Sequence, residues 1–380
     1  MNIVLFGNAD SNYLLQTAKA LIQNSNNIYI WDKSGYKIHS IDINTTKNDL
    51  ISKRNFKNIN YLSKIIIFTF NILYSLVQLV HKKKYDIIDI HYFDSPLIVL
   101  FFIFKKIAKG VNITIYGDDF NSASKLSRFI LKIAFTYTDS IFLNNPLAAN
   151  KIDEYYKFKF KNKIRICRFG LPLIKKIKSA KSISKQILKE KYGYPLNKII
   201  INIGHSSTYD EQQIEVLNSL IQFEDGLAEK IFIVIYHTYG SDKDLTNKII
   251  SILNKTKFKY KIYNEFIDLE SFAEMKVATD LMIHVLKNDQ FSASVLESLY
   301  AENTVIIGEW LPYSILSEIN LKFINIKSIS SINNILLNYN FSLNVQSTES
   351  IEKLERWISW EYCIEDWLNG YSRILSNKFK

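Results

Sequence analysis

Asp289 and Glu297 stand eight positions apart within the stretch Asp280 to Tyr313, DLMIHVLKNDQFSASVLESLYAENTVIIGEWLPY. Asp289 falls in a polar loop, Lys287 to Ser292. Glu297 falls one turn into a helix that Ser292 or Ser294 caps and that Val295, Leu296, Leu299 and Tyr300 mark by their spacing. That spacing lets both carboxylates face one crevice. Pairs of this kind are common in a chain with 37 acidic residues, so the context decides their weight. Three further groups could do chemistry. Asp118 and Asp119 follow Tyr116 and Gly117, and a carboxylate there can orient a hydroxyl or take its proton. One of the two also suffices to cap a helix starting near Ser122. Gly204, His205, Ser206, Ser207 and Thr208 form a small polar loop that can offer backbone amides and a helix end to a diphosphate. His91 and the run His237, Thr238, Tyr239, Gly240 complete the set.

The elements that must position these groups alternate strand and helix. Leu281 to Leu286 reads as a buried strand, the helix through Glu297 follows, and Thr304 to Ile307 is the next strand. This is a βαβ unit, and open α/β sheets bind ligands at the carboxyl edge of their strands. The same alternation runs upstream. Strands are expected at 2 to 7, 28 to 31, 85 to 92, 112 to 116, 141 to 144, 164 to 167, 199 to 203, 231 to 235 and 258 to 263. His91, Tyr116, Gly204 and His237 each fall at or just after a strand end. The first strand leads into Gly7, Asn8 and Ala9 without a full G-x-G-x-x-G, which argues against a dinucleotide-binding dehydrogenase. Punctuation at Gly170, Leu171 and Pro172 predicts a domain boundary.

DQFSASVLESL followed by VIIGEWLPY, with the acidic pair, resembles the large retaining family of nucleotide-sugar glycosyltransferases of the GT-B fold. The likeness is closest to the branch that builds bacterial surface polysaccharides, O-antigen or capsule. It implies an α/β protein of two facing Rossmann-like domains. Residues 1–172 would bind the acceptor, residues 173–350 would bind the donor, and C-terminal helices, 351–380, would cross back to the first domain. In that family the second acid, matched by Glu297, accepts hydrogen bonds from the donor ribose. The first, usually Glu and here Asp289, lies by the donor sugar.

The resemblance extends donor binding to Gly204, His205, Ser206, Phe291 and Ser292. It extends it also to His237, Tyr239 and Gly240, whose HTYG is similar to a motif of bacterial lipid-linked fucosamine-type transferases. Relatives carry Arg and Lys after the loop at 204 to 208. Neither occurs here, so His205 in part, and Lys287 or a lysine from the first domain, are the expected sources of charge for the diphosphate. Gly7, Asn8, His91 and Tyr116 are expected on the acceptor side, with Asp118, Asp119 and Asp289 as the catalytic acids. The implied reaction moves a sugar from a nucleoside-diphosphate donor to a lipid-linked, polyprenyl diphosphate glycan, with retention. No cofactor and no metal are expected beyond the nucleotide sugar itself. A sugar-nucleotide epimerase of the same build and a non-catalytic sugar-nucleotide-binding subunit are the alternatives.

A chain of 380 residues with 47% hydrophobic residues can bury two cores. Cys167 and Cys363 are its two cysteines, without a metal-type spacing, which points to a reduced, cytoplasmic setting. The net charge of +11 is uneven: residues 1–172 hold 24 Lys and Arg against 12 Asp and Glu, whereas residues 173–380 hold 24 against 25. The basic half suits phosphate-bearing partners. An anionic membrane surface on the inner face of the cytoplasmic membrane fits better than nucleic acid, because no recognised nucleic-acid module occurs. Ile65 to Val80, followed by Lys82 to Lys84, is apolar but too short to span a bilayer, and is expected to pack as a helix on the sheet, with a helix lying in the membrane interface as the alternative.

Overall fold

The computed structural model describes residues 1–9, 11–33, 38–45, 69, 72–74, 76–77, 85–144, 146–238, 240, 242–289, 291–338 and 345–377, with the side chain of Asp118 outside the description. It divides into two compact units, Met1–Gly170 with Trp360–Lys380, and Leu171–Ser359. The cut falls two residues before Pro172. The C-terminal helices are shared out: Thr348–Ile358 stays with the second unit, and Trp360–Ser376 belongs to the first.

The first unit is built on seven strands, β1 Asn2–Gly7, β2 Asn27–Asp32, β3 Ile38–Ile41, β4 Tyr85–His91, β5 Ala108–Ile115, β6 Ser140–Leu143 and β7 Ile164–Ile166. Their order is β3-β2-β1-β4-β5-β6-β7. All neighbours are parallel except β2 and β3. The runs IVLF in β1 and IFL in β6 are fully buried, as strands covered by helices on both faces must be. Strand β5 begins at Ala108, directly after the helix Ile98–Ile107, so it is longer than the apolar run at 112 to 116 suggested. Strand β3 is an antiparallel edge in a polar stretch that carries no strand periodicity.

The final helix closes one face of this sheet. Trp367 and Tyr371 are buried. The Trp367 indole donates to the Arg168 carbonyl (2.8 Å), and Tyr371 donates its hydroxyl to Asp89 (2.6 Å). Asn112 and Thr114 donate to the other oxygen of Asp89, each at 2.8 Å, so the buried carboxylate is well satisfied. Gly110 lets the helix approach: a Cβ there would meet Ile374 at 2.3 Å. Most of the Ile65 to Val80 segment, and Lys82 to Lys84, lie outside the described residues.

The second unit carries β8 Ile199–Ile203, β9 Ile231–Tyr236, β10 Lys259–Tyr263, β11 Leu281–His284, β12 Thr304–Gly308 and β13 Ile324–Ile326. Their order is β10-β9-β8-β11-β12-β13, and all pairs are parallel. The chain order reverses at β8, whose two neighbours are β9 and β11. Such a switch point opens a crevice at the carboxyl edge, where α/β sheets hold ligands. The polar lysine-rich stretch after Pro172 holds two short helices, Leu173–Ala180 and Lys185–Lys191, that bury Leu173, Ile174, Ile177 and Leu188.

Candidate functional site

At the switch point of the second sheet, β8 leads into Gly204, whose φ of +68° suits glycine. A Cβ at this position would sit 2.8 Å from Glu211 Oε2, so the absence of a side chain also admits a carboxylate. Glu211 closes a 3-10 turn, Tyr209–Glu211, and is 1% exposed. Its Oε1 accepts the Ser206 hydroxyl (2.7 Å) and the His205 backbone N–H (3.2 Å). His205 Nδ1 is 3.0 Å from the same oxygen but is not aligned for a hydrogen bond. Burial pushes the Glu211 carboxyl up, yet His205, Ser206 and His284 outweigh it and hold it below its ordinary value.

One strand across, β11 ends in His284, fully buried, with its ring 5.8 Å from that of His205. Its Nε2 donates to Asp289 Oδ2 at 2.6 Å. Asp289 also accepts from the Tyr313 hydroxyl and from the Ser292 N–H (3.4 Å). The loop acid thus acts on its own framework, orienting His284 and the loop that leads into the helix Ala293–Tyr300. Ser292 is the N-cap, accepting from the Ser294 N–H at 3.2 Å. Phe291 has a φ of +80°, a region costly for an aromatic residue, and its ring stacks on Tyr313 at 5.3 Å.

Glu297 lies in that helix, 9% exposed. No other described residue hydrogen-bonds its carboxylate. Burial pushes it up to about 7, against the pull of Lys276 and His205. Lys276, buried in turn, is brought down to about 8 by desolvation, opposed by Glu297 and Glu211. Its ammonium is held by the Ser294 hydroxyl (2.7 Å) and the Ser298 hydroxyl (3.2 Å). A buried carboxylate without a hydrogen-bond donor, balanced by a lysine at a distance, is poised to accept hydroxyl donors from a ligand.

The remaining donor-side residues fall in three places. His237 is buried with both ring nitrogens tied to the framework, Nδ1 to Thr246 (2.7 Å) and Nε2 to Gln213 (2.9 Å). Desolvation lowers its pKa, against Glu211 and Asp242. Gly240, at a φ of +84°, packs on Ser207, whose carbonyl a Cβ would meet at 2.9 Å. Gly240 lines a groove of about 630 Å³ with Ser207, Thr208, Tyr209 and Asp242. Tyr239 lies outside the described residues. Lys287 lines a separate groove of about 700 Å³ with Gln212, Trp310 and Lys327.

In the first unit, β1 and β4 form the equivalent switch point. Gly7 ends β1, and a Cβ there would meet the His91 Cβ at 3.2 Å. Asn8 follows and is exposed. His91, at the end of β4, contacts the Tyr116 hydroxyl through Nδ1 (2.9 Å) and stacks on Trp367. Burial lowers its pKa although Asp89 pulls the other way. Asp119 is turned back onto its own turn and accepts the backbone N–H groups of Gly117 (2.9 Å) and Tyr116 (3.1 Å). Desolvation raises it to about 7 despite these bonds. Asp118 and Asp119 lie in a short helix, Asp118–Asn121, and the next helix starts at Lys125 with Ser124 as its cap, so neither acid caps it.

Sequence reasoning did not single out Glu211, His284, Lys276 or Tyr313. Two of them carried a signal, since His284 ends a strand and Glu211 closes the loop after Gly204. Their meeting depends on β8 and β11 being neighbours, which spacing along the chain does not state.

No family model matches the chain, and no curated protein matches it. Solved structures do. A glycosyltransferase from Rickettsia africae ESF-5 superposes with a TM-score of 0.73 at 14% identity, covering 99% of this chain and 98% of that one. Anabaena HepE in complex with UDP superposes with a TM-score of 0.68 at 11% identity, covering 98% and 100%. Sucrose-phosphate synthase from Thermosynechococcus elongatus gives 0.70 at 11% identity, covering 99% of each chain. With two parallel-sheet units in this order, the chain has the GT-B fold, the fold of nucleotide-sugar glycosyltransferases.

Proposed function

We propose that the protein transfers a sugar from a nucleoside-diphosphate donor to a polyprenyl-diphosphate-linked glycan in the synthesis of a bacterial surface polysaccharide, with retention. The observation that carries this is Glu297: a buried carboxylate without a hydrogen-bond donor, beside the switch point of the second sheet, suited to a ribose diol. Support comes also from the similar structure of HepE, solved with UDP and with UDP-glucose. Around Glu297, the start of the helix Gln213–Ile221 and the His205 loop supply donors for a diphosphate, where developing leaving-group charge needs them. On the first unit, His91, Tyr116 and Asp119 are assigned to the acceptor side. Deprotonating an acceptor hydroxyl falls to Asp118 or Asp119, whose raised pKa suits Asp119 to a base near neutrality.

A membrane-linked acceptor asks for a surface that can rest on lipid. Among the described residues, no helix is long and apolar enough to cross a membrane. Adjacent helices Ile98–Ile107 and Lys125–Tyr137 instead expose Val99, Phe102, Leu126, Phe129 and Tyr137 by 45–68%. Phe102 and Tyr137 touch edge to face at 5.6 Å, and Lys106, Lys125 and Lys132 are exposed on the same helices. Large apolar side chains among lysines suit the interface of an anionic bilayer.

The test is turnover. A panel of nucleoside-diphosphate sugars is incubated with the protein, with and without polyprenyl-diphosphate-linked acceptor. Release of the nucleoside diphosphate that depends on acceptor, with an axial-for-axial or equatorial-for-equatorial linkage, supports the proposal. Interconversion of the donor sugar without acceptor would replace it with the epimerase reading. Binding without turnover of any kind would leave a non-catalytic subunit.

A further inference from the structure

Three polar atoms in the second unit are buried without a hydrogen-bond partner and belong to the same cluster: His205 Nδ1, Glu211 Oε2 and His284 Nδ1. The bonds around the last two explain why they are lone-pair donors. Asp289 and the Tyr313 hydroxyl occupy the other side of His284, where the Nε2 proton goes to Asp289 at 2.6 Å. A neutral imidazole with its proton on Nε2 presents an unshared pair at Nδ1. Glu211 Oε1 takes the Ser206 hydroxyl and the His205 N–H, which leaves Oε2 without a hydrogen-bond partner. His205 joins them, and one ligand atom from each of the three residues lies within 4.8 Å of the others. Buried acceptors gathered without a donor are costly unless a cation completes them.

We propose that His205, Glu211 and His284 form a binding site for a divalent transition metal of the zinc class. Two imidazoles and one carboxylate are the donor set of such ions, whereas calcium and magnesium prefer oxygen alone. Asp289 is the positioning residue: a carboxylate on the far nitrogen of a ligand histidine fixes its tautomer and strengthens its donation. Gly204 keeps the backbone clear of Glu211, and Gln213, donating to the Ile203 carbonyl at 3.1 Å, secures the helix start beside it. Glu211 and His284 are buried while the His205 side chain is 27% exposed, so the fourth position opens on the His205 side. With donor bound, an oxygen of the diphosphate takes that place, a step that rests on the proposed donor. The cation then supplies the charge that the missing Arg and Lys do not. The sequence alone led to an expectation of no metal, because the six histidines show no ligand spacing along the chain, and His205 and His284 come together only through the pairing of β8 with β11.

Metal and nucleotide are tested apart. Protein stripped by chelator is titrated with Zn²⁺ calorimetrically and with Co²⁺ by visible absorption, without nucleotide. One ion per chain and the intense visible band of four-coordinate Co²⁺ are expected. Asp289→Asn is expected to weaken the metal roughly 10–100-fold while the far-ultraviolet spectrum stays unchanged. His205→Ala, at the exposed edge of the cluster, serves as the variant that keeps the fold and loses the band. Absence of stoichiometric metal binding by the folded protein overturns the proposal, as does a band that survives in His205→Ala. UDP and uridine are then added to the Co²⁺ protein. A band shifted by UDP and not by uridine supports diphosphate ligation. UDP that binds without shifting it removes that ligation and leaves the metal site. Failure of every nucleotide to bind counts against the donor reading, while the metal result stands by itself.

Discussion

At the scale of single residues, burial raises two carboxylates, Asp119 and Glu297, whereas the neighbours of Glu211 hold it below its ordinary value. Asp119 is raised to about 7 by burial, against backbone hydrogen bonds that favour its charge. A folded-state pKa above the unfolded value of about 3.9 means that the native state holds the proton more tightly between the two. Stability therefore falls as pH rises from about 4 to about 7, and is independent of this group above that window. Asp119→Asn removes that slope, which chemical denaturation at a series of pH values reads directly. If Asp119 is the base, turnover climbs with a pKa near 7 in the wild type and loses that limb in the variant. Flat profiles in both would give Asp119 only its turn-holding role.

Gly204 is the second residue with a sharp expectation. Its left-handed conformation costs an ordinary residue about 1–2 kcal/mol, and a Cβ would press on the Glu211 carboxylate. Gly204→Ala is expected to lose at least that much stability and also to weaken nucleotide affinity, whereas Gly193→Ala, where φ is also positive but nothing lies within 4 Å, carries the backbone cost alone. Thermal melts and nucleotide titrations of the two variants separate strain from loss of the site.

At the scale of elements, the βαβ unit from β11 to β12 was readable because its signals agree: an apolar β-branched run, a polar loop, Ser292 as a cap and helical spacing after it. Glu297 was readable for the same reason, since its place in the first turns of a capped helix follows from local pattern. Glu211 and His284 were not. They sit 73 positions apart, and only the pairing of β8 with β11 brings them together. The edge strand β3 could be expected only as a short strand somewhere in the polar stretch 33 to 60, because four residues with one buried side chain, Ile41, give too little periodicity to place it. The short helices after Pro172 were hidden by lysines that outnumber their few core contacts. The last helix is a different case, legible in outline from its tryptophans. Trp367 fills the space between β4, β6 and residues 167 to 169, stacking on His91 and lying edge to face with Phe142. Trp367→Ala should cost about 3–5 kcal/mol. Denaturant unfolding followed by far-ultraviolet circular dichroism checks it, and a loss below 1 kcal/mol would mean that the helix docks only loosely.

At the scale of the whole molecule, charge and exposure meet on the first unit, the part of the sequence that holds the excess of lysine and arginine. Phe102, Phe129 and Tyr137 are exposed among Lys106, Lys125 and Lys132. If this surface meets lipid, the protein floats with vesicles rich in anionic lipid. Lys106→Glu, Lys125→Glu and Lys132→Glu together should abolish flotation, since each basic residue near such a surface contributes about 1 kcal/mol. Phe102→Ser with Phe129→Ser should weaken it at unchanged net charge. Equal flotation of all three proteins would assign the apolar patch another role.

The central claim is that the second unit grips a nucleotide sugar through Glu297. Isothermal titration of the wild type and Glu297→Ala with a panel of nucleoside-diphosphate sugars tests it most directly. Removing a charge-assisted hydrogen-bond acceptor costs about 1.5–3 kcal/mol, so at least one donor should bind the wild type saturably and the variant roughly 10–150-fold more weakly. A variant that holds every donor as tightly as the wild type would contradict the account.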